Sequence, residues 1–280
     1  LSESVLDLNY VDNPGVCKRY SSTQPEIYYN GDSFTQGMEL QDRFNGCYTH
    51  LVAEHFNQTW GRSSKIGGGN DRILRVTSTD MMQMPKKPKL VIILWSGPNR
   101  VEYLNSLNIW RQVGHIRFGF DRKLLEIRRS DIYCHPDMTR NQFEGWKYYM
   151  RYCRSIKWNL HDMCMQMIYL RRLLNSEGIP HLYYFMSKGQ IDCALESLNE
   201  KRREGANIVW EQQYDMTRKD FEREIPELND EGFYEMTKFR LKNDYGPMDH
   251  PLEKGHQAMA DKIIQDIYDK NLDKVFSKKD

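Results

Sequence analysis

The run Leu90-Val91-Ile92-Ile93-Leu94-Trp95 is the longest strictly apolar stretch of the chain. It has the length of a strand and falls far short of the ~18–20 residues that span a bilayer. A polar, proline-punctuated link from Pro85 to Lys89 precedes it, and Gly97-Pro98-Asn99 ends it. A continuous apolar run between turn signals leaves no polar face for water. That pattern fits a strand buried on both sides, as at the centre of a parallel sheet.

The surrounding pattern agrees. Glu26-Ile27-Tyr28-Tyr29 and His181-Leu182-Tyr183-Tyr184-Phe185-Met186 read as two further strands. Apolar residues recur at three- and four-residue steps from about Asp42 to Phe56, which predicts a helix. Gly67-Gly68-Gly69 marks a turn, with Asn70 as N-cap of a helix to about Met82. A long stripe from Phe143 to Leu174 predicts one helix, and Gly178-Ile179-Pro180 stops it. A last helix runs from about Leu252 to Tyr268. Residues 1–24 read as an irregular lead-in. Alternating strands and helices define an α/β chain. The expected fold is three-layer α/β/α with a mainly parallel sheet. It forms a single domain over 1–280, elaborated by insertions at about 104–140 and 190–245.

Composition narrows the function classes. The 280 residues carry 40 Lys+Arg and 39 Asp+Glu, a net charge of +1, with 39% hydrophobic residues. Near-neutrality argues against a nucleic-acid binder, which shows a basic excess. No apolar run reaches membrane-spanning length, so no membrane partner is expected. Leu1 to Tyr10 has no basic, apolar leader pattern. The expected setting is cytoplasmic (host cytoplasm or virion if the chain is viral), and secretion after removal of a signal stays open. Six cysteines without a C-x-x-C pair point to reduced thiols. Cys134-His135-Pro136-Asp137 has no second cluster at ligand spacing, so it reads as a structural loop and no metal or other cofactor is expected.

Four short blocks fall where an α/β sheet presents chemistry. Gly31-Asp32-Ser33-Phe34-Thr35 follows the first strand, where open α/β sheets place ligands. Gly67-Gly68-Gly69-Asn70 opens a helix, where backbone N–H groups favour negative charge. Gly97-Pro98-Asn99 follows the buried strand, and an Asn amide there can donate to an oxyanion. Asp249-His250-Pro251 precedes the final helix and offers an imidazole as general base. Each block alone also suits an ordinary turn, cap or packed histidine.

Taken in order, the blocks resemble the SGNH (GDSL-type) hydrolases: Gly31-Asp32-Ser33, Gly69-Asn70, Gly97-Pro98-Asn99 and His250-Pro251. The resemblance covers about residues 25–100 and 160–270 and implies a flavodoxin-like SGNH-hydrolase fold. By matched position it implies Ser33 as nucleophile and His250 as base. The Ser33 and Gly69 N–H groups and the Asn99 side chain would form the oxyanion hole, with Gly68 as a one-residue alternative to Gly69. The implied activity is cleavage of a carboxylic ester through an acyl-enzyme. The texture of few alanines and many Tyr and Met also resembles SGNH-like proteins of tailed phages.

Two departures stand out. The family's Asp three residues before the His is Pro247 here. Asp249 is the favoured substitute; Asp244, or a Ser–His dyad aided by a backbone carbonyl, stay open. Glu253-x-x-His256 is a rival pair with the right spacing. The family's Asp after the Asn is Arg100, available to a substrate carboxylate or phosphate, or else paired with Glu102. Residues 100–160 hold 12 basic against 6 acidic residues, and 196–235 hold 6 against 12, so the two insertions complement each other. The expected partners are a small-molecule or glycan ester substrate, with virion or homo-oligomer partners compatible. An inactive binding or virion structural protein on the same fold is the alternative.

Overall fold

A computed structural model describes residues 16–20, 24–98, 100–104, 110–115, 132–134, 139–152, 156–186, 218–225, 245–247 and 250–277. The expected acids Asp249 and Asp244 and the expected oxyanion donor Asn99 lie outside the described residues, as does most of the 190–245 insertion.

The main sheet has five strands. In chain order they are β1 (Val16–Tyr20), β2 (Ile27–Asn30), β3 (Trp60–Lys65), β4 (Leu90–Trp95) and β8 (His181–Phe185), arranged β1-β3-β2-β4-β8. Strands β3, β2, β4 and β8 run parallel, and β1 adds an antiparallel edge. The apolar run of β4 lies at 0% exposure throughout, between β2 and β8, as its sequence requires. A second, antiparallel sheet of β5 (Arg100–Leu104), β6 (Trp110–His115) and β7 (Ile132–Cys134) leaves from the end of β4. It occupies the first insertion.

Alternation along the strands divides the core in two. Ile27, Tyr29, Leu90, Ile92, Leu94, Leu182 and Tyr184 face one side. There they pack against α1 (Ser33–Gln36), α2 (Tyr48–His55) and α7 (Glu253–Asp269). Tyr28, Val91, Ile93, Trp95, Tyr183 and Phe185 face the other. Their partners are α3 (Asn70–Gln83), α5 (Ile156–Ser176) and α6 (Arg218–Glu224). The described residues therefore form a three-layer α/β/α fold with a mainly parallel sheet. The remaining helices are α4 (Arg140–Tyr152) and α8 (Lys274–Ser277).

Three local expectations are corrected, and one strand was not foreseen. The lead-in contains β1, whose Val-Cys-Lys-Arg-Tyr carries two adjacent cations and no clean alternation. The helix expected from Asp42 begins at Tyr48. Asp42 instead folds an Asx turn, its Oδ1 accepting the Phe44 and Asn45 N–H groups at 2.9 and 3.0 Å. Those bonds satisfy locally the donors a helix would have used. They also hold the Asp42 carboxyl below its usual range, the Asn45 backbone contributing most. The stripe from Phe143 to Leu174 spans two helices, α4 and α5. Strand β3 is wholly buried, yet Trp-Gly-Arg-Ser-Ser-Lys has no apolar run to reveal it. Two of its polar side chains are held by hydrogen bonds: Arg62 donates to Thr35 O, Thr49 Oγ1 and Arg43 O, and Ser63 Oγ to Asp80.

Candidate active site

The parallel strands run β3-β2-β4-β8, so the chain moves one way from β2 to β3 and the other way to β4. The reversal falls between β2 and β4, whose carboxyl ends are the usual ligand position in open α/β sheets. Ser33 stands three residues past β2, at the first position of the one-turn helix α1. Asp32 precedes it as N-cap, its Oδ1 accepting the Phe34 N–H at 3.1 Å. The next segment over, the end of β4, continues into Ser96 and Gly97.

Buried polar bonds fix this edge. Asn30 Oδ1 accepts the Gly31 N–H at 2.8 Å, and its Nδ2 donates to Thr77 Oγ1 at 2.9 Å. The turn before Ser33 is thereby tied to α3. Asn70 is not the N-cap expected from sequence: Gly69 holds the cap position and Asn70 is the first helical residue. Its amide brackets Ser96 instead, donating to Ser96 O at 2.9 Å and accepting Ser96 N–H at 2.8 Å. Two distant turns are locked together by that pair. A Cβ on Gly69 would lie 2.5 Å from Arg100 O, so only glycine allows the approach.

Arg100 turns inward. Its Nη1 donates to Asp32 Oδ2 at 2.7 Å and to Ser96 Oγ at 2.7 Å. The Asp32 side chain is fully buried and Arg100 is 17% exposed. The alternative pairing with Glu102 is not formed; Arg75 takes that carboxylate at 2.8 Å. The guanidinium thus neutralises the carboxylate next to Ser33, a placement that residue spacing does not reveal.

His250 reaches Ser33 across the whole chain. Its Nε2 lies 2.8 Å from Ser33 Oγ. The Phe34 ring meets the imidazole edge-on, with centroids 5.5 Å apart. At Nδ1, 3.1 Å away, stands Glu39 Oε2, which also accepts the His250 backbone N–H at 3.2 Å. Sequence reasoning sought this carboxylate beside His250 and did not consider Glu39. The spacing Ser33-x5-Glu39 is the available signal, and it carries meaning only once the loop after α1 is known to fold back.

The rival His256 is buried and structural. Its Nδ1 accepts the Tyr48 N–H at 3.3 Å, and its ring stacks on Tyr48. It thus supplies the cap that Cys47 does not give α2. Glu253 accepts from the Gln41 N–H.

Two helices, α1 and α3, start at this edge, and helix N-termini leave backbone donors for an anion. Among the described residues, no acceptor takes the Ser33 or Gly69 N–H. No group of three or more His, Cys, Asp or Glu able to hold a metal ion occurs among them either. Nor is any of their helices long and apolar enough to cross a membrane. A hydroxyl, an imidazole and a carboxylate in hydrogen-bonded series, beside helix N-termini, can activate an alcohol for attack on a carbonyl.

What the fold and site define is an α/β chain with a Ser–His pair at its topological switch point. No family model matches the sequence, and no curated protein matches it. Among solved structures, the chain is similar to a member of the lipolytic protein G-D-S-L family from Veillonella parvula DSM 2008. The match has 12% identity and a TM-score of 0.41, covering 85% of this chain and 96% of that one.

Proposed function

We propose that the chain is a serine ester hydrolase that works through an acyl-enzyme. The observation that carries this reading is the 2.8 Å contact between His250 Nε2 and Ser33 Oγ at the carboxyl edge of β2. Oγ attacks the ester carbonyl carbon while its proton passes to Nε2. The carbonyl oxygen gains the negative charge, with the Ser33 and Gly69 N–H groups and the Asn99 amide as its proposed donors. Collapse of the tetrahedral intermediate breaks the bond to the alcohol, which takes the proton from Nε2. Water then attacks the acyl-serine, gives its proton to the same nitrogen, and releases the carboxylic acid and free Ser33.

The antiparallel sheet that begins at Arg100 belongs to a basic, aromatic-rich insertion. An O-acylated carbohydrate, whose ring faces suit aromatic side chains, is the substrate class this favours. Arg100, expected as a contact for an anionic substrate group, instead directs its guanidinium at Asp32 and Ser96. An acyl transferase would use the same residues with another acceptor in place of water, and product analysis with sugar acceptors separates the two.

One observation favours a second reading, a binding or virion structural protein on the same fold: Ser33 is only 3% exposed. Hydrolysis of p-nitrophenyl acetate decides between them. The enzyme reading expects turnover that falls at least ~10³-fold in Ser33→Ala and survives Ser96→Ala. Turnover equal in native protein and Ser33→Ala would remove the enzyme reading.

A further inference from the structure

We infer that Glu39 is the positioning residue for His250, an acid supplied by the loop that follows the nucleophile rather than by the loop that carries the histidine. The inference rests on the reading of Ser33 and His250 given above.

Three independent observations support it. First, a single carboxylate oxygen, Oε2, faces both Nδ1 and the backbone N–H of His250, at 3.1 and 3.2 Å. It therefore orients the ring and anchors the residue that bears it. With Glu39 ionised, the Nδ1 proton points at the carboxylate and the lone pair of Nε2 points at Ser33 Oγ. Among the described residues, the charged group against the imidazole is this carboxylate; the other neighbours are the Ser33 hydroxyl and the Phe34 ring.

Second, Glu39 adopts φ 71°, the left-handed region that disfavours a residue with a long side chain. Such strain persists where the surroundings dictate it, commonly at functional sites. The turn at Glu39 places its carboxylate against His250 Nδ1. Its carboxylate ends up 11% exposed, between two segments 211 residues apart in sequence.

Third, the opposing segment has a gap of matching size. The Gly246 N–H donates to His250 O at 2.9 Å, and Tyr245 bridges to Pro251, which holds Tyr245–Gly246 beside His250–Pro251. A Cβ on Gly246 would lie 2.7 Å from Glu39 Cδ and 2.8 Å from each of its oxygens. Glycine at 246 leaves that space to the Glu39 carboxylate.

The test compares native protein with Glu39→Gln, Glu39→Asp and Gly246→Ala, read by p-nitrophenyl acetate kinetics, with folding checked by circular dichroism. Glu39→Gln is expected to lower kcat on the order of 10²–10⁴-fold with KM little changed. A fall in kcat at unchanged KM is the split that a merely structural role would not give. Glu39→Asp is expected to recover part of the rate. Gly246→Ala displaces the carboxylate and should reproduce the fall in kcat at little-changed KM, a readout that covers the case in which Glu39→Gln does not fold. A Ser33-dependent kcat unaltered in Glu39→Gln would overturn this inference alone, as would loss of activity in Asp249→Asn with Glu39→Gln unaffected. A native protein with no Ser33-dependent rate would overturn the underlying reading as well.

Discussion

Asp32 illustrates how one residue serves several neighbours at once. One oxygen caps α1 just before the nucleophile, and the other accepts from Arg100 and Ser96. Removing the Arg100 cation would leave a fully buried carboxylate without its charge partner. Arg100→Met is therefore expected to destabilise the fold by about 3–5 kcal/mol, measured by urea unfolding. Gly69 is a second single-residue test. Gly69→Ala drives a methyl group into Arg100 O and swings the N–H away from the proposed oxyanion position. The expected loss is ~10²–10³ in turnover, with substrate affinity less affected. Ser33 and Gly69 were singled out by Gly-containing blocks at a strand end and a helix start, and His250 by the Asp-His-Pro block before the last helix. Glu39 was not, because its position depends on a left-handed turn in a loop without a periodic pattern. Arg100 was noticed for its charge, but its inward partner Asp32 lies 68 residues away.

Elements legible from sequence are those stabilised by apolar burial. Strands β2, β4 and β8 and helices α3 and α7 were expected within a residue or two of their observed bounds, since each presents a run or stripe of hydrophobic side chains. Strand β3 escaped because it is buried through polar bonds: Arg62 and Ser63 are fully enclosed, Arg62 Nη1 donating to Thr35 O and Thr49 Oγ1 and Ser63 Oγ to Asp80. The start of α2 was misplaced because Asp42 closes a local turn, and because the helix is capped from outside by His256. That cap gives a test at this scale. His256→Leu keeps an apolar body between α2 and α7 but removes the acceptor for the Tyr48 N–H. A cost of about 1–2 kcal/mol in unfolding free energy is expected, with Ser33 reactivity preserved. Loss of reactivity in a folded His256→Leu protein would instead favour the rival Glu253–His256 pair.

At the scale of the molecule, the sheet separates two apolar layers and delivers the site at its reversal point. Burial in the second layer pushes the Cys164 thiol up to about 12. A thiol raised by burial stays protonated at neutral pH and is shielded from reagents. Iodoacetamide at pH 8 is expected to modify the Cys164 peptide only as fast as the molecule unfolds, with urea accelerating it in step with loss of structure. Rapid modification in native buffer would mean that this layer opens locally. The central claim, that the carboxyl edge of β2 carries an acylable serine, is tested most directly by a fluorophosphonate, which reacts with a hydroxyl activated by a base. The adduct site would be mapped by peptide mass spectrometry between about pH 6 and 9, the range in which an imidazole base operates. The account predicts a stoichiometric adduct on Ser33, retained in Ser96→Ala and lost in His250→Ala. Native, folded protein that forms no adduct anywhere in that range, or forms one on another serine, would contradict it.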